Sequence, residues 1–231
     1  MTDDFQGFPR DAAAFLAELT KNNDRDWFQR QKGRYAESVQ EPARALVRAL
    51  GEWFAGFAPH VVADDRKVGG SLMRINRDVR FSKDKRPYDP RVAAQFFHEL
   101  GKKASAPGYY VHIGPEGVTF GAGIWRPETP ALASIREKIV AKPDDWAAVR
   151  DDKAFRKAFP EIGGESLKRP PRGFDADHPH VEDLKRKDLA NFGKMALSTI
   201  HRKDFADKLA AKYEAGVDYC RFLAKAVGVK F

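Results

Sequence analysis

Gly108-Tyr109-Tyr110-Val111-His112-Ile113-Gly114-Pro115-Glu116-Gly117-Val118-Thr119-Phe120-Gly121-Ala122-Gly123-Ile124-Trp125 is the stretch on which the fold turns. Two runs of β-branched and aromatic residues flank a Gly-Pro-Glu-Gly turn, the pattern of a β-hairpin. No helix-length crossover separates the runs, so the sheet they begin is antiparallel. Gly121 and Gly123 inside the second run predict a bulge or a close backbone approach.

Upstream, residues 91–99 alternate Val92, Ala94 and Phe96 and predict another strand. Residues 71–81 predict a fourth. Met73, Ile75, Val79 and Phe81 share one face there, and Arg74, Asn76, Asp78 and Arg80 share the other. Arg77 falls on the apolar side, which predicts a bulge or a paired, partly buried guanidinium. Residues 83–90 read as a loop broken by Pro87 and Pro90.

Helical spacing frames this sheet on both sides. Ala12, Phe15, Leu16 and Leu19 mark a first helix closed by Asn22-Asn23. Asp24 caps a second, whose stripe is Trp27, Phe28, Gln31, Tyr35 and Val39, and Pro42 opens a third that carries Leu46, Val47, Leu50, Trp53, Phe54 and Phe57. After the hairpin come a helix with Leu132, Ile135, Ile139 and Val140, a helical region over residues 144–159, a glycine- and proline-rich loop over the sheet at 160–177, and a short helix from His178-Pro179 through Lys187. Phe205, Leu209, Tyr213, Val217, Cys220 and Leu223 trace one long terminal helix. No internal repeat or linker interrupts the chain. The expectation is a single α+β domain over residues 1–231, with an antiparallel sheet of about four strands mid-chain between amino-terminal and carboxy-terminal helices.

A chain of 231 residues buries roughly 70% of its unfolded surface, and 42% hydrophobic residues supply a core. Lysine and arginine number 41 against 33 acidic residues, a formal charge of +8. That balance favours anionic partners: phosphorylated metabolites, nucleotides, nucleic acid or an acidic membrane surface. No apolar run reaches the length of a membrane span, and the acidic Met1-Thr2-Asp3-Asp4 start is unlike a secretory signal, so a cytoplasmic location is expected. Cys220 is the sole cysteine, which excludes an intrachain disulfide and cysteine-based zinc motifs and reads as a core residue. Walker, dinucleotide-binding, HExxH and Gly-x-Ser-x-Gly patterns are all missing.

Three polar clusters remain. In the first, Arg74, Asn76, Asp78 and Arg80 share a strand face, followed by Ser82, Lys83, Asp84, Lys85 and Tyr88. Arginine forks match phosphate or carboxylate bidentately, and lysine adds a mobile charge. Asp78 or Asp84 would orient an arginine or act as a base. The plain alternative is a solvated face laced with ion pairs of about 0 to 1 kcal/mol each. The second cluster, residues 166–180, holds Lys168, Arg169 and Arg172 in a proline-stiffened loop beside Asp175, Asp177, His178 and His180. Helix capping by Asp177 or His178 is favoured over metal ligation there, and no metal is assigned. Lys185-Arg186-Lys187 reads as a solvated helix terminus. The third cluster is the hairpin, where His112 is a candidate base or phosphate donor and Trp125, with Tyr88, a stacking surface. A hydrogen-bonded, half-buried histidine and a core aromatic are the ordinary readings of both.

At these residues the chain resembles a widespread uncharacterised family, domain of unknown function 2461, over nearly its full length. The resemblance covers Asn22-Asn23 with Trp27-Phe28 and Pro42, residues 74–85 with Pro87-Tyr88, residues 109–113, residues 121–125, Leu167-Lys168-Arg169, and Gly173-Phe174 to His178-Pro179. Its most specific part is the Arg-x-x-Arg-Asp-x-Arg-Phe-Ser-Lys-Asp-Lys string; Arg86 stands where threonine is usual. The resemblance implies no activity, substrate or cofactor.

The residues themselves predict an anionic, phosphate-bearing small ligand bound by Arg74, Asn76, Arg80, Ser82, Lys83, Lys85, Tyr88, Lys168 and Arg169. Asp78, Asp84, His112 and His178 are the candidates for proton transfer. Binding alone and hydrolytic or transfer chemistry both fit, and no cofactor is assigned. The alternatives are a nucleic-acid-binding module driven by the net charge, and buried ion-pair networks, Arg77 with Asp78 or Asp84, that only hold the fold together.

Overall fold

The hairpin forms as its sequence dictates. In the computed structural model, which describes residues 5–101 and 105–231, β3 (Gly108–Gly114) and β4 (Gly117–Ile124) pair from Gly108↔Gly123 to Gly114↔Gly117, leaving Pro115-Glu116 as the turn. Val92–His98 is β2 and pairs antiparallel with β3. On the far side of β4 lies β6 (Leu189–Met195), and two-residue strands close both edges: β1 (Val61–Val62) against β2, and β5 (Glu161–Ile162) against β6. The sheet is antiparallel and runs β1-β2-β3-β4-β6-β5, so among the described residues it has six strands where the sequence predicts about four.

Residues 71–81 correct that expectation in a second way. They touch the sheet at isolated bridges, Leu72↔Ala94 and Asn76↔Tyr88, and make no continuous strand. The reason is local. Asp78 Oδ1 accepts from the Arg80 N–H at 3.2 Å and Asp84 Oδ1 from the Arg86 N–H at 3.1 Å, so short carboxylates curl the chain into turns that compete with a ladder. The predicted inward face accordingly fails for Met73, 49% exposed, and Phe81, 95% exposed, while Ile75 is buried.

Helices cover one face of the sheet. α1 (Arg10–Lys21) buries Ala12, Phe15, Leu16 and Leu19 as its spacing predicts, and the Asp24 side chain caps α2 (Arg25–Arg30) by accepting from the Trp27 N–H at 2.8 Å. The stripe ending at Val39 runs over α2, α3 (Lys32–Tyr35) and a π-helical turn (Ala36–Gln40); α4 (Glu41–Phe57) then begins with Pro42 in its first turn. Next come α5 (Thr129–Ala141), α6 (Pro143–Arg150), α7 (Lys153–Ala158) and α8 (Val181–Lys185). The long terminal helix is two, α9 (Phe205–Glu214) and α10 (Val217–Ala226). They part at Gly216, where a Cβ would press 3.0 Å from the Phe159 ring and 3.2 Å from Ala122 of β4.

Between the layers, alternate sheet residues (Val92, Ala94, Phe96; Tyr109, Val111, Ile113; Val118, Phe120, Ala122, Ile124) meet the helices in the core. Phe54 stacks on Tyr109 at 5.3 Å, and Tyr213 lies 4.6 Å from Tyr109. Cys220 is buried in α10, and burial pushes its thiol up to about 12. Among the described residues no helix is long and apolar enough to cross a membrane.

Candidate functional site

The face of the sheet turned away from the core can be read from the strand register. Ala93, His112, Thr119 and Lys194 lie side by side across β2, β3, β4 and β6. Gln95, Tyr110, Gly121 and Phe192 form the next row. Beyond them Gly123 pairs with Gly108 on one side and Ala190 on the other. The floor on β3 and β4 is therefore glycine, and taller side chains stand on either side of it.

That relief makes a cleft of about 560 Å³, walled by Met73, Gln95, Phe97, Tyr110, Trp125 and Phe192, with Ser105, Arg126 and Glu128 at one end. Its floor admits nothing larger than glycine. A Cβ on Gly121 would lie 2.6 Å from the Phe192 ring and one on Gly163 2.2 Å from the ring's other edge, so Phe192 lies flat across two glycines. Gly123, at φ +122, would collide with Leu189 O at 2.0 Å. The close backbone approach expected for Gly121 and Gly123 is thus made by β6. Trp125 meets Phe192 edge to face at 5.9 Å.

One end of the cleft is strained. Ser105 and Arg126, at φ 46 and φ 51, are the non-glycine residues with positive φ among those described, and both line it. Such conformations cost about 1–3 kcal/mol each and persist only where surroundings enforce them. Asp188 enforces Arg126: its Oδ1 accepts the Arg126 N–H at 2.8 Å and its Oδ2 the Glu165 N–H at 3.1 Å. Ser105 Oγ accepts the Glu128 N–H at 3.0 Å and ties the two strained segments together at that end. Behind Asp188, the buried Arg186 donates to Asp188 O, Ala190 O and Asn191 Oδ1 at 3.1, 3.1 and 2.8 Å. The reading of Lys185-Arg186-Lys187 as a solvated terminus therefore holds for its flanks only.

The first predicted cluster leaves the β2 edge as an arm. Arg77 N–H donates to Pro87 O and Asp89 N–H to Ile75 O, both at 2.8 Å, forming a short stem. Its charges mostly satisfy one another. Asp78 holds Arg80 at 2.7 Å, Asp84 holds both Arg77 at 2.8 Å and Arg86 at 2.7 Å, and Lys85 Nζ donates to Val79 O at 3.0 Å. Arg80 beside Asp78, and Arg86 with Arg77 beside Asp84, keep both carboxyls below the usual carboxylate range. Arg77 is the partly buried, paired guanidinium that its parity predicts. Arg74, Asn76 and Lys83 are exposed, and Ser82 is half-buried. Tyr88 is turned inward: its ring stacks on Phe28 at 4.1 Å, and Asn23 bonds its backbone N–H at 3.0 Å and C=O at 2.9 Å.

The second cluster runs beside β6, four strands from the arm. Leu167 N–H donates to Lys185 O and Lys187 N–H to Glu165 O, both at 2.8 Å. Lys168 and Arg169 are exposed on this run. His178 Nδ1 accepts the His180 N–H at 3.1 Å and Asp175 accepts the Asp177 N–H at 2.9 Å, so these side chains shape turns. α8 begins without a side-chain cap, so neither Asp177 nor His178 serves as one. His180 is buried, with Nδ1 2.9 Å from the Arg150 guanidinium and Nε2 3.0 Å from Pro143 O. Among the described residues no three His, Cys, Asp or Glu side chains gather as metal ligands.

Of the predicted site residues His112 is on the open face, in the row next to Tyr110, whose ring lies 5.6 Å away. Its Nδ1 is buried with no hydrogen-bond partner among the described residues. Burial, with the charge of Arg91, lowers it below the ordinary imidazole value. None of Arg74, Asn76, Asp78, Arg80, Ser82, Lys83, Asp84, Lys85, Tyr88, Lys168, Arg169 and His178 lines the cleft. Sequence reasoning missed Gln95, Arg126, Phe192 and Asp188. The paired glycines of β4 were the available signal for Phe192; nothing in the sequence marks Arg126, whose importance lies in its backbone.

A family model described as "Conserved hypothetical protein (DUF2461)" matches residues 11–222. The chain belongs to this family. No curated protein and no solved structure matches it.

Proposed function

For this member of the family we propose that the open-face cleft binds a small ligand combining a flat ring with an anionic group. The observation that carries the reading is the composition of the cleft wall. Tyr110, Trp125 and Phe192, the last already lying flat over Gly121, offer ring faces and edges against which a flat ring can pack, and Arg126 stands at the strained end as a donor fork for phosphate or carboxylate. A volume of about 560 Å³ lies within the range of small-molecule sites, about 300–1,000 Å³. The net charge of +8 raises the local concentration of such an anion. In this reading the expected anionic ligand stays, while its contacts move from the arm to the sheet face. His112, held neutral by its surroundings and one row from the ring site, is the group available for proton transfer if the ligand reacts.

Titration calorimetry with nucleoside monophosphates, sugar phosphates and aromatic carboxylates tests this. A nucleotide or aromatic acid should bind, and Arg126→Gln should weaken it roughly tenfold to a hundredfold, as expected for loss of a hydrogen bond to a charged group. Trp125→Ala should weaken ring-bearing ligands and leave sugar phosphates unchanged. Absence of heat with every ligand overturns the proposal.

A further inference from the structure

Phe81 is 95% exposed, and what surrounds it explains how it stays so. The turn that carries it is braced from inside by Asp78 with Arg80, by Asp84 with Arg77 and Arg86, by Lys85 Nζ on Val79 O at 3.0 Å, and by the Ser82 N–H on Val79 O at 3.3 Å. Each carboxylate of residues 74–86 is used in that bracing, and the ring is held out at the apex. The Arg80 guanidinium lies 5.8 Å from the ring centroid. Six cations stand against two carboxylates in this segment, and Arg74 and Lys83 have no ion-pair or hydrogen-bond partner among the described residues.

We propose that this arm grips single-stranded nucleic acid, with Phe81 stacking on an unpaired base and Lys83 and Arg74 lying along the phosphates. Three considerations select that partner. A stacking aromatic at the apex of an arm that also carries unpaired cations matches the alternation of flat apolar bases and charged phosphates along a strand. In a duplex the base faces are already covered by their neighbours, so a lone ring finds nothing to stack on. A membrane is disfavoured because one ring is too little apolar surface to anchor a protein: even a whole acyl chain binds only marginally and reversibly. Pre-bracing of the arm also removes most of the ordering cost that binding would otherwise carry. This grip is independent of the cleft and does not require a ligand there.

Fluorescence anisotropy of labelled oligothymidine, roughly a dozen nucleotides long to cover one site, with the full chain provides the test. Binding should weaken between about 50 mM and about 200 mM salt. Phe81→Ala should weaken it about tenfold or more with the salt slope unchanged, the loss of one base stack. Phe81→Trp should retain affinity and show indole quenching on binding. Lys83→Ala should lower the salt slope by about 0.7, one released counterion on a single strand. Equal melting temperatures of wild type and Phe81→Ala establish that the variant is folded. The proposal is overturned by no binding at low salt, by full affinity in Phe81→Ala, by a duplex competing as well as the single strand, or by loss of Phe81 weakening attachment to phosphatidylserine vesicles instead. Strand binding that falls with Trp125→Ala and not with Phe81→Ala would assign the strand to the sheet face and also overturn it.

Discussion

Arg186 is buried between the half-buried Lys185 and the exposed Lys187 because α8 ends at Lys185 and the chain turns extended at Arg186, which bridges to Ser166. Its guanidinium is the donor for Asn191 Oδ1, so removing it strands that acceptor inside the fold, whereas Ala190 O keeps the Gly163 N–H at 3.0 Å. Arg186→Ala is expected to destabilise the protein by about 3–5 kcal/mol, the usual cost of breaking a buried charged network from one side. Urea unfolding measures this; a loss under about 1 kcal/mol would mean that water replaces the guanidinium. Single residues were legible where parity exposed a conflict. Arg77 on an apolar face demanded a partner, and Asp84 is that partner at 2.8 Å. They were illegible where the partner is distant in sequence. Nothing near Tyr88 announces that Phe28 stacks on it, or that Asn23 will bind its backbone. Arg126 gave no sign either, since its strain depends on a carboxylate 62 residues later.

At the scale of elements, the hairpin and β2 could be read because each alternates cleanly between core and open face. β6 could not, although it pairs with β4 along its whole length. Its core-facing positions are Leu189, Asn191, Gly193 and Met195, and two of these four look like loop residues. Each has a reason that only the neighbours supply. Asn191 answers Arg186, and Gly193 makes room for the ring of Phe120 opposite and for Ala158 O. A Cβ at Gly193 would stand 2.1 Å from Ala158 O and 2.6 Å from the Phe120 ring. Gly193→Ala is accordingly expected to cost about 1–3 kcal/mol through overpacking, read as a lower urea midpoint; a second substitution, Phe120→Leu, should recover part of it by freeing the ring's space. The opposite error occurred at residues 71–81, where alternation was present but Asp78 and Asp84 supplied turns that a face-by-face count ignores.

Across the described residues the helices gather on one face of the sheet, so the core is deep on one side only. Several ionisable groups lie within it. Burial raises Tyr35, Tyr219 and Cys220 to about 12, and it raises Tyr109 and Tyr213 as well. In the unfolded chain phenols ionise near pH 10 and a thiol near 8.5. Above those values the unfolded state releases protons that the folded state keeps, so the stability these groups contribute is complete below about pH 8.5 and is lost as pH rises toward about 12. Urea midpoints should therefore fall between about pH 8 and about pH 10.5, and Tyr35→Phe should make the fall shallower. A midpoint indifferent to pH over that range would show that the phenols titrate normally. The antiparallel α+β character was legible from the hairpin and the helical stripes, whereas the six-strand count depended on strands too short or too polar to show. Two of those short strands have a consequence of their own. β1 and β5, each two residues long, bound the sheet, and each offers a second molecule scarcely one pair of unpaired amide and carbonyl groups. A sheet that ends this abruptly is a poor template for growth from copy to copy, so concentrated solutions should resist ordered aggregation through the sheet edges.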